Sequence, residues 1–236
     1  MRLDKFLSVT ATATRSEAAR AARAGQILVN GLPVKKADVQ ISPERDAVVF
    51  CGAPVVYKPY YYVLLNKPDG YVSATEDGRD PTVLELLPEK YTALGLFPCG
   101  RLDKHTLGLM LLTNNGELSH RLLSPRRHVA KRYAFRCKFP LTREECVRFE
   151  KGLVLEDGYE TKPALIELYD DAHSGVITLV EGKYHQIKRM LEALHNQITY
   201  LERISFGPLT LPPDLPRGAW RELTPDEEAA LLAAAE

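Results

Sequence analysis

The sequence predicts an α+β protein in two parts, a small N-terminal helix-and-hairpin unit and a larger sheet-bearing one. Three observations lead there. The 236 residues suffice for a small plus a medium domain. Residues 1–52 carry a helix cap and a two-residue hairpin turn, and 53–59, with two prolines, reads as a semi-rigid linker. From residue 60 to 236, short apolar runs alternate with capped helical stretches.

In the N-terminal part, residues 2–9 place Leu3, Phe6 and Leu7 on one helical face. Thr14-Arg15-Ser16-Glu17 has the form of a capping box, and the Ala-rich helix behind it stops at Gly25. Residues 26–29 read as a strand, Asn30-Gly31 as a type I′ turn, and 32–36 as the return strand.

In the larger part, 61–65 reads as an apolar strand, Asn66-Lys67-Pro68-Asp69-Gly70 as a turn and 83–87 as a helix. The run 107–112 is apolar apart from Gly108, which suits a strand buried on both faces or, by periodicity alone, a short helix. Asn114-Asn115-Gly116 punctuates it, and a short helix over 117–123 ends at Ser124-Pro125. Strands follow at 131–139, 164–168, 176–180 and 198–205. Thr142 and Thr224 open capped helices, and a further helix starts within 181–190.

Composition excludes several function classes. No apolar run approaches the roughly 20 residues that span a bilayer, and 1–5 has no signal-peptide core. The four cysteines show no C-x-x-C spacing, so neither zinc nor redox chemistry is indicated, and free thiols suit a reducing cytoplasm. The net charge of zero conceals an asymmetry: residues 1–58 carry nine basic and five acidic side chains. Residues 101–138 carry nine basic against two acidic, Asp103 and Glu117. Two basic clusters are the footprint of a polyanion. Asp103 stands just before the buried run, where a loop carboxylate can face a cleft while its backbone is held.

Gly100-Arg101-Leu102-Asp103 with Thr106-x-Gly108-Leu109-x-Leu111-Leu112-Thr113 resembles the catalytic signature of the pseudouridine synthases. Asn66 to Ser73 resembles the entry to their catalytic domain, and Gly182-Lys183-Tyr184-His185-Gln186-Ile187-Lys188 their last motif. Ser16-Glu17-Ala18 through Gly25-x-Ile27-x-Val29-Asn30-Gly31 resembles the αL-type RNA-binding module. The pieces come in family order over nearly the whole chain. Thr161-Lys162-Pro163-Ala164 and the last motif favour the RsuA branch, which acts on small-subunit rRNA; Lys104-His105 and Leu107 depart from that branch and leave the target nucleotide open.

The resemblance implies an αL domain joined to a catalytic domain with an extended, mostly antiparallel sheet. It implies a monomeric rRNA isomerase with no cofactor, metal or membrane, whose partner is structured RNA. Large-subunit rRNA or tRNA as target, or a non-catalytic RNA-binding assembly factor, are the other readings. Asp103 is the implied catalytic carboxylate, Tyr133 stacks on the uracil with general base at the C5 proton as its other role, and Lys188 keeps Asp103 ionised. Arg101 enters the space left by the flipped nucleotide, and Ile187 packs beneath the ribose or base. Leu102 joins the substrate-binding set, with Arg126, Arg127 and Lys131 as phosphate contacts on charge alone. Arg15, Arg20, Arg23, Lys35 and Lys36 are the expected RNA contacts of the first domain.

Overall fold

A computed structural model describes residues 1–124, 127 and 129–236. The chain forms two compact units, Met1–Tyr61 with Pro88–Leu96, and Tyr62–Leu87 with Phe97–Glu236.

The first unit begins with α1 (Leu3–Val9) and α2 (Arg15–Arg23). Thr14 and Glu17 cap α2 reciprocally: the Thr14 N–H donates to Glu17 Oε2 at 2.8 Å and the Glu17 N–H to Thr14 Oγ1 at 3.3 Å. The hairpin of β1 (Ile27–Val29) and β2 (Leu32–Pro33) turns on Asn30 and Gly31, with φ of 52° and 80°. Both central residues are left-handed, as a type I′ turn requires. Leu3, Phe6, Leu7, Ala18, Ala22, Ile27 and Val48 form the core.

The linker expected over 53–59 begins instead as a strand. β4 (Ala53–Val55) pairs antiparallel with β3 (Val48–Phe50), completing a sheet in the order β2-β1-β3-β4. Cys51 and Gly52, with φ of 49° and 84°, make a second two-residue turn. Pro54 is tolerated because β4 is an edge strand. A short helix, α3 (Glu89–Ala93), also belongs to this unit, although it falls within the 60–236 span expected for the larger domain. Its Tyr91 meets Tyr61 edge to face.

The second unit contains β5 (Tyr62–Lys67), β6 (Phe97–Pro98), β7 (Leu107–Thr113), β8 (Lys131–Cys137), β9 (Leu165–Leu168) and β10 (Ser174–Leu179). β11 (Ile198–Phe206), β12 (Leu209–Thr210) and β13 (Trp220–Glu222) complete the strands. They form one nine-stranded sheet along β13-β5-β7-β11-β8-β10-β9, with β6 on β7 and β12 on β11. Among the described residues every pairing in it is antiparallel except β7 with β11. Four helices, α4 (Gly116–Leu123), α5 (Arg143–Lys151), α6 (Gln186–Glu192) and α7 (Pro225–Ala233), belong to the same unit. The stretch 83–87, expected as a helix, is a single 3-10 turn at Val83–Leu86.

The buried run is thus a strand, with Leu109 through Leu112 fully enclosed. Gly108 interrupts it for a steric reason: a Cβ there would stand 2.3 Å from the Arg203 carbonyl, so only glycine lets β7 approach β11. On β8, burial alternates, with Lys131, Tyr133, Phe135 and Cys137 inward and Arg132 and Arg136 outward. Lys131 therefore occupies a core-facing position beside Tyr133.

Candidate active site

Asp103 lies in the connection between β6 and β7, and neighbouring groups fix its backbone. Lys67, fully buried at the end of β5, donates to the carbonyls of Pro68 at 3.1 Å, Lys104 at 2.9 Å and Thr106 at 2.9 Å. Burial pushes this ammonium down to about 8. Ser73 Oγ donates to the Leu102 carbonyl at 2.7 Å and accepts from the Leu102 N–H at 3.0 Å. The Thr106 N–H donates to the Asp103 carbonyl at 3.0 Å. Outside the loop, Lys104 pairs with Asp80 at 2.6 Å and His105 with Asp69 at 2.9 Å. With its backbone held on both sides, the Asp103 carboxylate has a set direction.

That direction is toward α6. Lys188 Nζ lies 2.8 Å from Asp103 Oδ2, and His185 Nε2 lies 3.5 Å from Oδ1. Cationic side chains in the first turn of a helix oppose its dipole, and Asp103 is the anion that offsets this for Lys188. The turn entering α6 is built around a buried carboxylate. Glu181 accepts from Tyr159 Oη at 2.9 Å, from Gln186 Nε2 at 2.6 Å and from the Lys162 N–H at 2.9 Å. Gln186 Oε1 accepts from the Lys183 N–H at 2.9 Å. His185, closing this turn, has φ of 48° and its ring stacks on Tyr184.

The carboxylate opens into a cavity of about 760 Å³ whose lining includes Arg101, Leu102, Asp103, Tyr133, His185 and Arg203. A pocket of about 70 Å³ beside it is lined by Asp103, Thr106, Tyr133, Ile187 and Lys188 among others. Tyr133 faces both. A space of this size accommodates a nucleoside. The Thr106 hydroxyl is buried and, among the described residues, has no hydrogen-bond partner.

The structure thus brings together Asp103, Tyr133, Lys188, Arg101, Leu102 and Ile187. Lys131 also lines the larger cavity but is buried, which does not suit the phosphate contact expected of it. Arg127 is exposed and does not line either pocket, and Arg126 lies outside the described residues. Arg15, Arg20, Arg23, Lys35 and Lys36 are all exposed on the first unit. Sequence reasoning missed the work of Lys67, Ser73, Glu181, His185 and Arg203. Three of these stand inside quoted motifs, Lys67 and Ser73 in 66–73 and His185 in 182–188, yet spacing alone assigned them no contact.

A fixed carboxylate held against a lysine beside a nucleoside-sized cavity, on a mixed sheet, is an arrangement suited to an enzyme that works on a nucleoside. Residues 61–193 match the family model for RNA pseudouridylate synthase, and residues 1–46 match the S4 domain. The chain belongs to the RNA pseudouridylate synthase family, with an S4 domain at its N-terminus. It is 44% identical over 235 residues to an uncharacterized RNA pseudouridine synthase, YtzG, of Bacillus subtilis, covering 98% of each chain. It is 41% identical to the ribosomal small subunit pseudouridine synthase A of Yersinia pestis, again over 98% of each. The Escherichia coli K12 protein of the same name is 39% identical, over 98% of this chain and all of the other. A solved pseudouridylate synthase structure superposes with a TM-score of 0.69 at 37% identity, covering 98% of this chain and 99% of that one.

Proposed function

We propose that this enzyme isomerises a uridine of small-subunit rRNA to pseudouridine, in the cytoplasm and as a monomer, with Asp103 as the reacting carboxylate. The observation that carries the assignment is the Asp103–Lys188 contact of 2.8 Å at a cavity that Tyr133 also lines. The names of the relatives from Yersinia pestis and Escherichia coli support the small-subunit target.

Isomerisation breaks the N1–C1′ bond, turns the base and forms C5–C1′; the C5 proton is then lost and N1 takes one up, so atoms and charge balance. The electron pair of the first bond leaves with the uracil. C1′ is then satisfied either by attack of the Asp103 carboxylate, which departs again when C5 bonds to C1′, or by loss of the 2′ proton to it, which is returned to C2′ at that step. Both routes need the carboxylate ionised, and the Lys188 ammonium 2.8 Å from Oδ2 is the counter-charge beside it. Tyr133 supplies an aromatic face for the extruded base. Extrusion costs a few kcal/mol of unstacking, which RNA contacts away from the base must offset. Free uridine is therefore a poor substrate.

The test is to incubate the protein with small-subunit rRNA, free and partly assembled, and to map pseudouridine by carbodiimide modification and primer extension. One new site with wild type and none with Asp103→Asn is expected. A site formed equally by Asp103→Asn overturns the assignment of Asp103. No site with wild type, but tight binding, makes the chain a non-catalytic RNA-binding factor.

A further inference from the structure

Two buried cations border the cavity and form no ion pair with an acidic side chain among the described residues. Lys131, 8% exposed, and Arg203, 1% exposed, both line the 760 Å³ space. Lys131 lies two residues from Tyr133 on the inward face of β8, and Arg203 is the direct cross-strand neighbour of Tyr133 on β11. Both cations lie against the ring of Phe206, Lys131 Nζ at 5.6 Å and Arg203 Cζ at 5.2 Å from its centroid.

Comparison with the other buried lysine sharpens the point. Lys67 directs its three N–H groups to three carbonyls. Lys131 donates only to the Val129 carbonyl, at 3.1 Å, among the described residues. Arg203 donates through Nε to the Leu109 carbonyl at 2.7 Å, with one longer contact to Met110 sulfur. The nearby acid, Glu181, already serves Tyr159, Gln186 and the Lys162 amide. Burial and the neighbouring Arg203 push Lys131 down to about 8, so holding this charge opposes folding. A cation pair left in this condition in the free protein suits an anion that arrives later.

Building on the pseudouridine synthase reading, we propose that Lys131 and Arg203 hold the carbonyl edge of the uracil stacked on Tyr133 and stabilise the negative charge it gains when N1–C1′ breaks. The departing electron pair is shared by N1 and the carbonyl oxygens and returns through C5 when the new bond to C1′ forms, so no co-reactant is needed. A base is the better occupant than a phosphate. It enters neutral and sheds water readily, and its charge appears only in the transition state, where the cations act most strongly. A phosphate would have to give up its full hydration to reach two side chains this deep.

The test compares Lys131→Met and Lys131→Arg with wild type in single-turnover isomerisation of small-subunit rRNA, alongside RNA affinity over a salt series and thermal unfolding. Lys131→Met is expected to slow the single turnover about 10²-fold with RNA Kd and salt slope unchanged. Its Tm at neutral pH should rise, because a buried charge has been removed, and Lys131→Arg should recover most of the rate. Arg203→Lys, which keeps charge but moves it, should slow turnover without weakening RNA binding. Wild-type turnover in Lys131→Met overturns the inference. So does a weaker Kd with a salt slope lower by about one, the mark of a phosphate contact. Absence of pseudouridine with wild type removes the functional reading and this inference together.

Discussion

The tetrapeptide Arg-Leu-Asp-Lys occurs twice, at 2–5 and 101–104, and the two copies have different fates. In both the leucine is buried, Leu3 completely and Leu102 to 5% exposure, so it anchors each segment to its core. In the first copy the charges close on themselves. Arg2 forks onto Asp4 at 3.0 and 2.7 Å, and Asp4 also accepts from the Lys5 N–H at 2.7 Å, at the start of α1. In the second copy Arg101 and Lys104 both line the cavity; among the described residues Arg101 makes no ion pair with Asp103, and Lys104 pairs with Asp80. Asp103 instead meets Lys188 from α6. The first aspartate is satisfied within its own helix start, whereas the second is met by a cation from a distant element at the edge of a cavity.

The strongest way to break this contrast is to neutralise each aspartate. Asp103→Asn should lower isomerisation by about 10⁴-fold or more with no loss of Tm, since on the proposed mechanism it removes the carboxylate that reacts with the ribose. Next in size is Lys188→Met, expected to cut single-turnover rate by about 10² to 10³-fold while RNA Kd changes little. A larger effect on Kd than on rate would make Lys188 an RNA contact, and the parallel between charge at Asp103 and catalysis would fail.

Much of this contrast was legible in the sequence. The capping boxes at Thr14, Thr142 and Thr224 all formed, since each depends only on residues three apart. The Asn30-Gly31 turn and the glycine-interrupted central strand were legible for the same reason. What escaped were features set by distant chain. Cys51-Gly52 carries no strong turn signal, so β4 was read as linker; β6, β12 and β13 are two or three residues long and exist only by pairing with longer strands. Charge alone points Lys131 at a phosphate, because it carries no sign of burial. The clamp of Lys67 on three carbonyls joins positions up to 39 apart, beyond any local pattern.

A weaker effect separates the two units. Arg20 and Arg23 are exposed on α2, away from any carboxylate contact among the described residues apart from the through-space influence of Glu17. Arg20→Glu with Arg23→Glu should weaken RNA binding by about tenfold or more at moderate salt and lower the salt slope by about two. Single-turnover rate at saturating enzyme should be unchanged. A rate loss at saturation would mean that these arginines act on the reaction itself, and the division of labour between RNA capture and chemistry would fall.

The smallest expected effect comes from the first tetrapeptide. The Arg2 guanidinium, and then the Lys5 amide, hold the Asp4 carboxyl below the usual carboxylate range. A depressed folded-state value means the contribution is present above about pH 4, the unfolded value, and is lost as pH falls further. Because the Arg2 partner is largely exposed, the contribution is small. Asp4→Asn should therefore lower stability slightly at neutral pH and converge with wild type in acid, with pseudouridine formation untouched. Were Asp4→Asn instead to impair isomerisation as Asp103→Asn does, the contrast between the two aspartates would not hold for this molecule.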